Sequence, residues 1–354
     1  MNLHIFNPEH DIALAYNRGH LTMPHAAQEL RMNLGWLPVL WASDGDAVLV
    51  DDVCYALKAS HRYRRNKDVL MVGWSDLKSL PVDVILPWGW DLTLRTSLSE
   101  AGVFPGILPS EDVLHGIRLL SSRFETIEAL NVLRDGIVNL TCGESRFLTS
   151  ISQVYDVLAE WGDVVVKAPW SSSGRGIRYV SRRMNESTTG WVRRILEVQG
   201  GIMAEPYYNK VKDFGMEFYA HGDGHVEYEG LSLFQTENNA YTGNILASEG
   251  EKIQIMKMFL PLSLLDTIKE RVCEYFPTRM RHLYAGPFGI DMMVVGRSDH
   301  KGFLLHPCVE INVRRTMGHV ALSLTPPANQ PVQLMRIVHD VNYTLKVSRM
   351  NAIE

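Results

Sequence analysis

The segment Asp163–Val180, DVVVKAPWSSSGRGIRYV, constrains this chain more than any other. Val164, Val165 and Val166 are a β-branched run suited to a buried strand. Lys167 stands at the mouth of the turn that follows. Ser171, Ser172, Ser173, Gly174, Arg175 and Gly176 then supply a turn dense in hydroxyls and backbone N–H groups, where glycine lets the main chain approach an anion closely. Ile177–Val180 reads as a second strand. A Walker loop needs GK[ST] leading into a helix, and a dinucleotide fingerprint also opens a helix, so both are excluded. Two readings remain: a hairpin that closes over phosphates, or an ordinary hairpin turn.

A second cluster bears on that choice. Gly289–Val295 reads as a buried strand carrying one carboxylate, Asp291. After a turn at 298–302 the chain continues FLLHPCVEINVRRTMGH, in which Glu310 and Asn312 alternate with Val309, Ile311 and Val313. The polar pair therefore shares one strand face. If the two segments pair, Asp291 lies beside Glu310 and Asn312. Two carboxylates about 4 Å apart repel by about 4 kcal/mol at an effective dielectric of about 20, so a cation belongs there. Oxygen ligands of this kind suit magnesium, which keeps few protein ligands and fills its shell with phosphate oxygens and water. The alternative is an acid pair neutralised by Arg314 or Arg315.

A length of 354 residues allows two or three domains with ample core. A formal net charge of -5 gives no reason to expect nucleic-acid or membrane partners. The absence of a long apolar run or a signal-peptide layout, together with Cys54, Cys142, Cys273 and Cys308 scattered without metal or redox spacing, predicts a cytoplasmic protein with reduced thiols. The sequon at Asn139 then carries little meaning.

Short apolar runs at Leu3–Phe6, Leu37–Ala42, Val69–Val72 and Val82–Leu86 predict a small parallel α/β domain over residues 1–109. Helices are predicted over Glu111–Arg123, Ser150–Glu160, Thr188–Val198, Leu262–Phe276 and Val332–Val347. In the fourth, Leu265, Ile268, Val272 and Phe276 share a face.

In the order and character of its motifs, the chain from about Ser110 to about Met350 resembles the ATP-grasp superfamily. The resemblance implies an α/β fold of α+β ATP-grasp type. Its N-terminal pre-ATP-grasp domain is followed by a two-lobed ATP-grasp domain at 110–354, with a small lobe at about 140–205 and a large lobe at about 206–350. By the same likeness ATP and Mg2+ are the cofactors. Lys167 and Arg123 hold the α- and β-phosphates while the loop Ser171–Gly176 covers the γ-phosphate. Glu205, Pro206 and Tyr207 form the adenine-side hinge, and Asp213 takes the ribose, with Glu217 its competitor. Asp291, Glu310 and Asn312 hold the metal. Arg123 departs from the family's usual first lysine; arginine keeps the charge and grips phosphate bidentately. A second departure, Val313–His319, matches neither the peptide-ligase nor the carboxylase pattern.

The activity so implied joins a small-molecule or peptide carboxylate to an amine through an acyl phosphate, with Arg314 donating to the tetrahedral intermediate. A thiol or hydroxyl acceptor would be served by similar groups. The alternative is a phosphotransferase or a non-ligating nucleotide-binding regulator on the same fold. A homodimer is the default assembly.

For the second substrate, Glu9, His10 and Asp11 follow the first strand, at the carboxyl edge where α/β proteins place ligands. Glu9 or Asp11 could take an amine and His10 a proton, or Asn7 and Asp11 could merely cap a helix. Trp88 and Trp90 form either an aromatic wall or packing. The segment SLFQTENNAYTGNI, with Asn238, Asn239 and Asn244, suits a substrate loop between strands or plain turns, and Arg315 joins Asn239 on the substrate side. His20 and His25 lack a nearby third ligand and read as solvated or capping.

Overall fold

The computed structural model describes residues 1–64, 67–171, 176–237, 240–328 and 330–350. The chain begins with an all-parallel sheet of β1 (Asn2–Ile5), β2 (Ala47–Leu49), β3 (Leu70–Val72) and β4 (Val84–Pro87), ordered β3-β2-β1-β4. Helices α1 (His10–Tyr16), α2 (His25–Leu34), α3 (Val53–Ser60) and α4 (Leu92–Glu100) connect and flank it. Leu3, Ile5, Ala47, Leu49 and Ile85 fill its core. The strand order reverses between β1 and β4, which opens a crevice beyond their carboxyl ends. One expected strand is corrected. Leu37–Leu40 is a buried 3-10 turn, and Ala47–Leu49 takes the sheet position instead. Pro38 has no N–H to give a ladder, so that apolar run is buried as a turn.

Helix α5 (Glu111–Leu120) is capped by Ser110, whose hydroxyl accepts from the Val113 amide. It stops short of the expected Arg123. A second helix, α6 (Glu125–Arg134), follows, so Arg123 sits in the bend with its amide bonded to Pro169 O at 3.0 Å. An antiparallel sheet comes next, made of β5 (Arg146–Leu148), β6 (Asp163–Lys167), β7 (Ile177–Ser181) and β8 (Ile202–Pro206) in the order β5-β8-β6-β7. It is backed by α7 (Ile151–Trp161), which opens on a Ser150/Gln153 capping box, and α8 (Glu186–Gln199), which ends at Gly200 with φ +77°.

The larger sheet pairs β9 (Lys210–Ala220), β10 (Val226–Ser232), β13 (Gly286–Gly296) and β14 (Phe303–Asn312) in the order β10-β9-β13-β14. A further antiparallel sheet holds β11 (Phe234–Glu237), β12 (Ala240–Leu246), β15 (Gln333–His339) and β16 (Tyr343–Arg349). Between these strands lie α9 (Glu249–Met256), α10 (Leu262–Met280) and α11 (Met317–Leu324). The predicted face of α10, Leu265, Ile268, Val272 and Phe276, is buried against Phe214, Phe218 and Phe288 of the large sheet. Two expectations fail here. The helix expected at Val332–Val347 is the β15–β16 hairpin, with the β-branched Ile337 and Val338 before the Asp340–Asn342 turn and Thr344 and Val347 after it favouring strand. The segment read as a loop around Phe234 and Tyr241 is itself two paired strands. Among the described residues no helix is long and apolar enough to cross a membrane.

Candidate active site

The hairpin that the sequence singled out forms as β6 and β7, paired from Asp163↔Ser181 to Lys167↔Ile177. Ser172, Ser173, Gly174 and Arg175 lie outside the described residues, but both ends of the turn are placed. Ser171 Oγ accepts from Arg123 Nη1 at 2.7 Å, and Gly176 O accepts from the Ala168 amide at 2.8 Å. Alternation along β6 turns Lys167 inward, where its Nζ lies 2.6 Å from Glu205 Oε2 on the neighbouring β8. Both side chains are buried.

Lys167 and Glu205 open onto a cleft of about 390 Å³ between the small and large sheets. Pro206, Tyr207 and Tyr208 line its hinge side, and Asp213 and Asp291 line the floor. Asp213 is held by Lys210 Nζ and Thr236 Oγ1, each 2.6 Å from Oδ2. Its sequence competitor Glu217 lies elsewhere, buried beneath α11, where Thr316 Oγ1 donates to Oε2 at 2.9 Å and His319 Nδ1 stands 3.1 Å away. Room for that carboxylate comes from glycines, since a Cβ on Gly318 or Gly289 would collide with it.

The acidic pair is aligned by strand register. Asp291 faces Glu310 across β13 and β14, and Asn312 Nδ2 donates to Asp291 Oδ2 at 3.2 Å. Burial, followed by the Glu310 and then the Glu217 carboxylates, pushes the Asp291 carboxyl up to about 8. Neither arginine proposed from sequence as the neutraliser makes an ion pair with these acids. Arg314 is engaged bidentately with Asp11 at 2.9 Å for both bonds. Arg315 turns away, its guanidinium 4.4 Å above the Trp41 ring. Arg123 reaches Glu310 instead, with Nη2 2.7 Å from Oε1, and Nη1 also bonds Ala168 O at 2.7 Å. Three oxygen-bearing side chains around an under-compensated carboxylate fit a hard divalent cation. Rotating the Asn312 amide by half a turn brings its oxygen to the same place, where it would face a cation.

The N-terminal crevice meets this site. A narrow gap is lined by His10, Asp11, Ser171, Glu310, Asn312 and Arg314, so residues more than 300 positions apart converge. Asn7 donates to Gly89 O and Asp91 Oδ2, binding the ends of β1 and β4 together. Asp91 Oδ2 also lies 3.1 Å from His10 Nδ1, and His10 Nε2 is buried without a partner. If Nδ1 carries the proton for Asp91, Nε2 presents a lone pair. Glu9 lies one residue further back, on a cavity of about 350 Å³ that also includes Arg31 and Asp91. Its Oε1 is 2.5 Å from Arg31 Nη1, its Oε2 has no partner, and burial raises its carboxyl above the ordinary value despite Arg31. The helix-capping alternative fails for α1, whose N-cap makes no side-chain bond; Asp91 caps α4 instead. Trp88 packs edge-on against Phe6 at 5.0 Å, as core. Asn239 lies outside the described residues. His20 and His25 are exposed and pair with Glu100 and Glu29. Sequence reasoning missed Asp91, for which the helix-capping DLTL pattern was the available signal.

No family model matches this sequence, and no curated protein does. Solved structures resemble it. A biotin carboxylase–beta-gamma-ATP complex from Campylobacter jejuni is 13% identical with a TM-score of 0.50, covering 95% of this chain and 75% of that chain. An ATP-grasp superfamily assignment from Archaeoglobus fulgidus is 12% identical with a TM-score of 0.48, covering 99% and 100% of the two chains. N5-carboxyaminoimidazole synthetase from Staphylococcus aureus complexed with ADP is 14% identical with a TM-score of 0.47, covering 95% and 82%. At such identities the likeness is one of fold.

Proposed function

Starting from a chain with the ATP-grasp fold, we propose that it is an ATP- and magnesium-dependent ligase that joins a carboxylate to an amine through an acyl phosphate. The observation that carries this reading is the under-compensated Asp291 carboxylate, set beside Glu310 by strand register, at the floor of a cleft that also holds Lys167. Asp291, Glu310 and Asn312 would hold the magnesium, which supplies charge neutralisation to the transferring phosphoryl group.

The chain's own groups divide the remaining work. Lys167 exchanges Glu205 for phosphate oxygens when nucleotide enters, and Glu205, Pro206 and Tyr207 border the base while Asp213 takes the ribose. Arg123 anchors the root of the Ser171–Gly176 loop, which covers the γ-phosphate and excludes water from the acyl phosphate. Arg314, oriented by Asp11, donates to the oxygen on which charge develops. His10, oriented by Asp91, accepts the proton from the attacking amine at Nε2. Glu9 binds the amine before attack. The residues 1–109 form the pre-ATP-grasp domain in this scheme.

A direct test supplies ATP, magnesium, a panel of carboxylic acids and a panel of amines, and follows nucleotide and phosphate. ADP and phosphate formed only when both partners are present support ligation. A stable phosphorylated acid or alcohol would replace this reading with a phosphotransferase, and binding without turnover would replace it with a regulator.

A further inference from the structure

Tyr208 has a cavity on each side. One is the nucleotide cleft; the other, of about 310 Å³, lies between α6 and the segment 141–145. The wall of this second cavity carries a positive charge without a counter-ion. Arg134, the last residue of α6, donates to Gly143 O and, at 3.4 Å, to Thr141 Oγ1. Among the described residues no carboxylate lies within ion-pair distance of it, although Glu144 stands on the same wall. Glu144 is taken up by Arg146, with Oε1 2.6 Å from Nη2.

Two further groups nearby lack partners. Ser145 Oγ lines the cavity, is buried and has no hydrogen-bond partner. His306, fully buried beneath the cavity, has no partner on either ring nitrogen. Gly143, at φ +124°, lies over that ring, and a Cβ there would come within 3.0 Å of His306 Nε2. Burial, with Lys167 and Arg134 nearby, lowers His306 to about 3, so its ring is neutral. A half-buried guanidinium, a hydroxyl that must donate or accept, and the Asn131 amide on one concave wall are the donor set for an oxyanion.

We propose that this cavity is a second ligand site, binding the carboxylate or phosphate group of a small metabolite through Arg134 and Ser145, and that its occupancy alters nucleotide affinity through Tyr208. The path is short. Tyr208 forms a wall of both cavities and packs edge-on against His306 at 5.4 Å, on the same strand β14 that carries Glu310 and Asn312. An anion that draws Arg134 away from Gly143 O moves the wall against which Tyr208 rests. Coupling of this kind is reciprocal, so nucleotide must change anion affinity by the same factor.

The test uses the full chain with its nucleotide cleft filled by a non-hydrolysable ATP analogue and magnesium, so that inorganic phosphate cannot enter there. Inorganic phosphate and malonate are titrated separately by calorimetry at constant ionic strength. Saturable binding of either probe in the millimolar range or tighter is expected, and the better probe identifies the headgroup. Arg134→Met should lower that affinity at least about tenfold, with analogue affinity in the probe's absence unchanged. Saturating probe should change analogue affinity about fivefold in the wild type. Arg134→Lys and Ser145→Ala serve if the Met variant melts early. Absence of saturable binding, or binding unaffected by all three substitutions, overturns the site. Binding that leaves analogue affinity unchanged overturns the coupling. None of these outcomes depends on whether the enzyme ligates.

Discussion

Asp11 and Asp291 both feel Arg314, yet they are displaced in opposite directions. Burial works to raise the Asp11 carboxyl, but the charge of Arg314 and its two hydrogen bonds outweigh it and hold Asp11 below the usual range. At Asp291 burial acts together with Glu310 and Glu217, and Arg314 is too weakly placed to compensate, so the carboxyl rises to about 8. The difference lies in who owns the guanidinium. A carboxylate gripped by a dedicated arginine is a clamp that orients its partner. A carboxylate crowded by other acids is a vacancy for positive charge.

The contrast can be broken at several strengths. Asp291→Asn should cut turnover at least about 100- to 1000-fold, the scale on which one electrostatic group typically acts. It should also raise the melting temperature of the metal-free protein near pH 8, because the mutation removes a buried charge. Turnover within threefold of wild type would remove Asp291 from the metal site. Arg314→Ala should lower kcat about 100-fold, and it should destabilise the fold by about 1–3 kcal/mol because the half-buried Asp11 is left unpaired. Asp11→Asn should cost less on both counts, as the arginine keeps its place through packing and one remaining bond. If the two variants are equally impaired in kcat, Asp11 does more than orient. Glu9→Gln should raise KM for the amine about tenfold with little change in kcat; an effect on kcat alone would move Glu9 out of amine binding.

The smallest effect is a proton count. Asp291 has a folded value near 8 against an unfolded value of 3.8. The folded chain therefore retains a proton at pH 7 that the unfolded chain has lost, and metal-free stability falls as pH rises from about 4 towards 8. Divalent metal must expel that proton, so calorimetry in buffers of different ionisation enthalpy should find about one proton released at pH 7. Metal affinity should climb about tenfold per pH unit and level off above 8. No proton release would mean that Asp291 is already ionised or is not a ligand.

The parts of this site that were legible in the sequence are local. Lys167 before a serine-glycine turn, and Glu310 and Asn312 two apart on a strand, declare themselves through alternation, because strand neighbours share a face by construction. What the sequence did not disclose is long-range. The Asp11–Arg314 clamp spans 303 residues and the His10–Asp91 pair spans 81, and nothing local to either partner selects the other. The two arginines after Asn312 looked interchangeable, but the chain turns between them, sending Arg314 to Asp11 and Arg315 to Trp41. The misread elements have a common cause. Leu37–Ala42 and Val332–Val347 are apolar stretches whose period was ambiguous, and their neighbours settled them. Pro38 closed one as a turn, and pairing of β15 with β12 and β16 made the other a sheet.

Arg123 is bonded to Ala168 O, Ser171 Oγ and Glu310 Oε1 at once. A lysine has one nitrogen and could not span those three anchors with a planar fork. Ser171, at the start of the turn after β6, is thus tied through Arg123 to the acidic strand β14. An ion that took Glu310 would leave Arg123 its bonds to Ala168 O and Ser171 Oγ, so the arginine would stay at the turn while its tie to β14 was released.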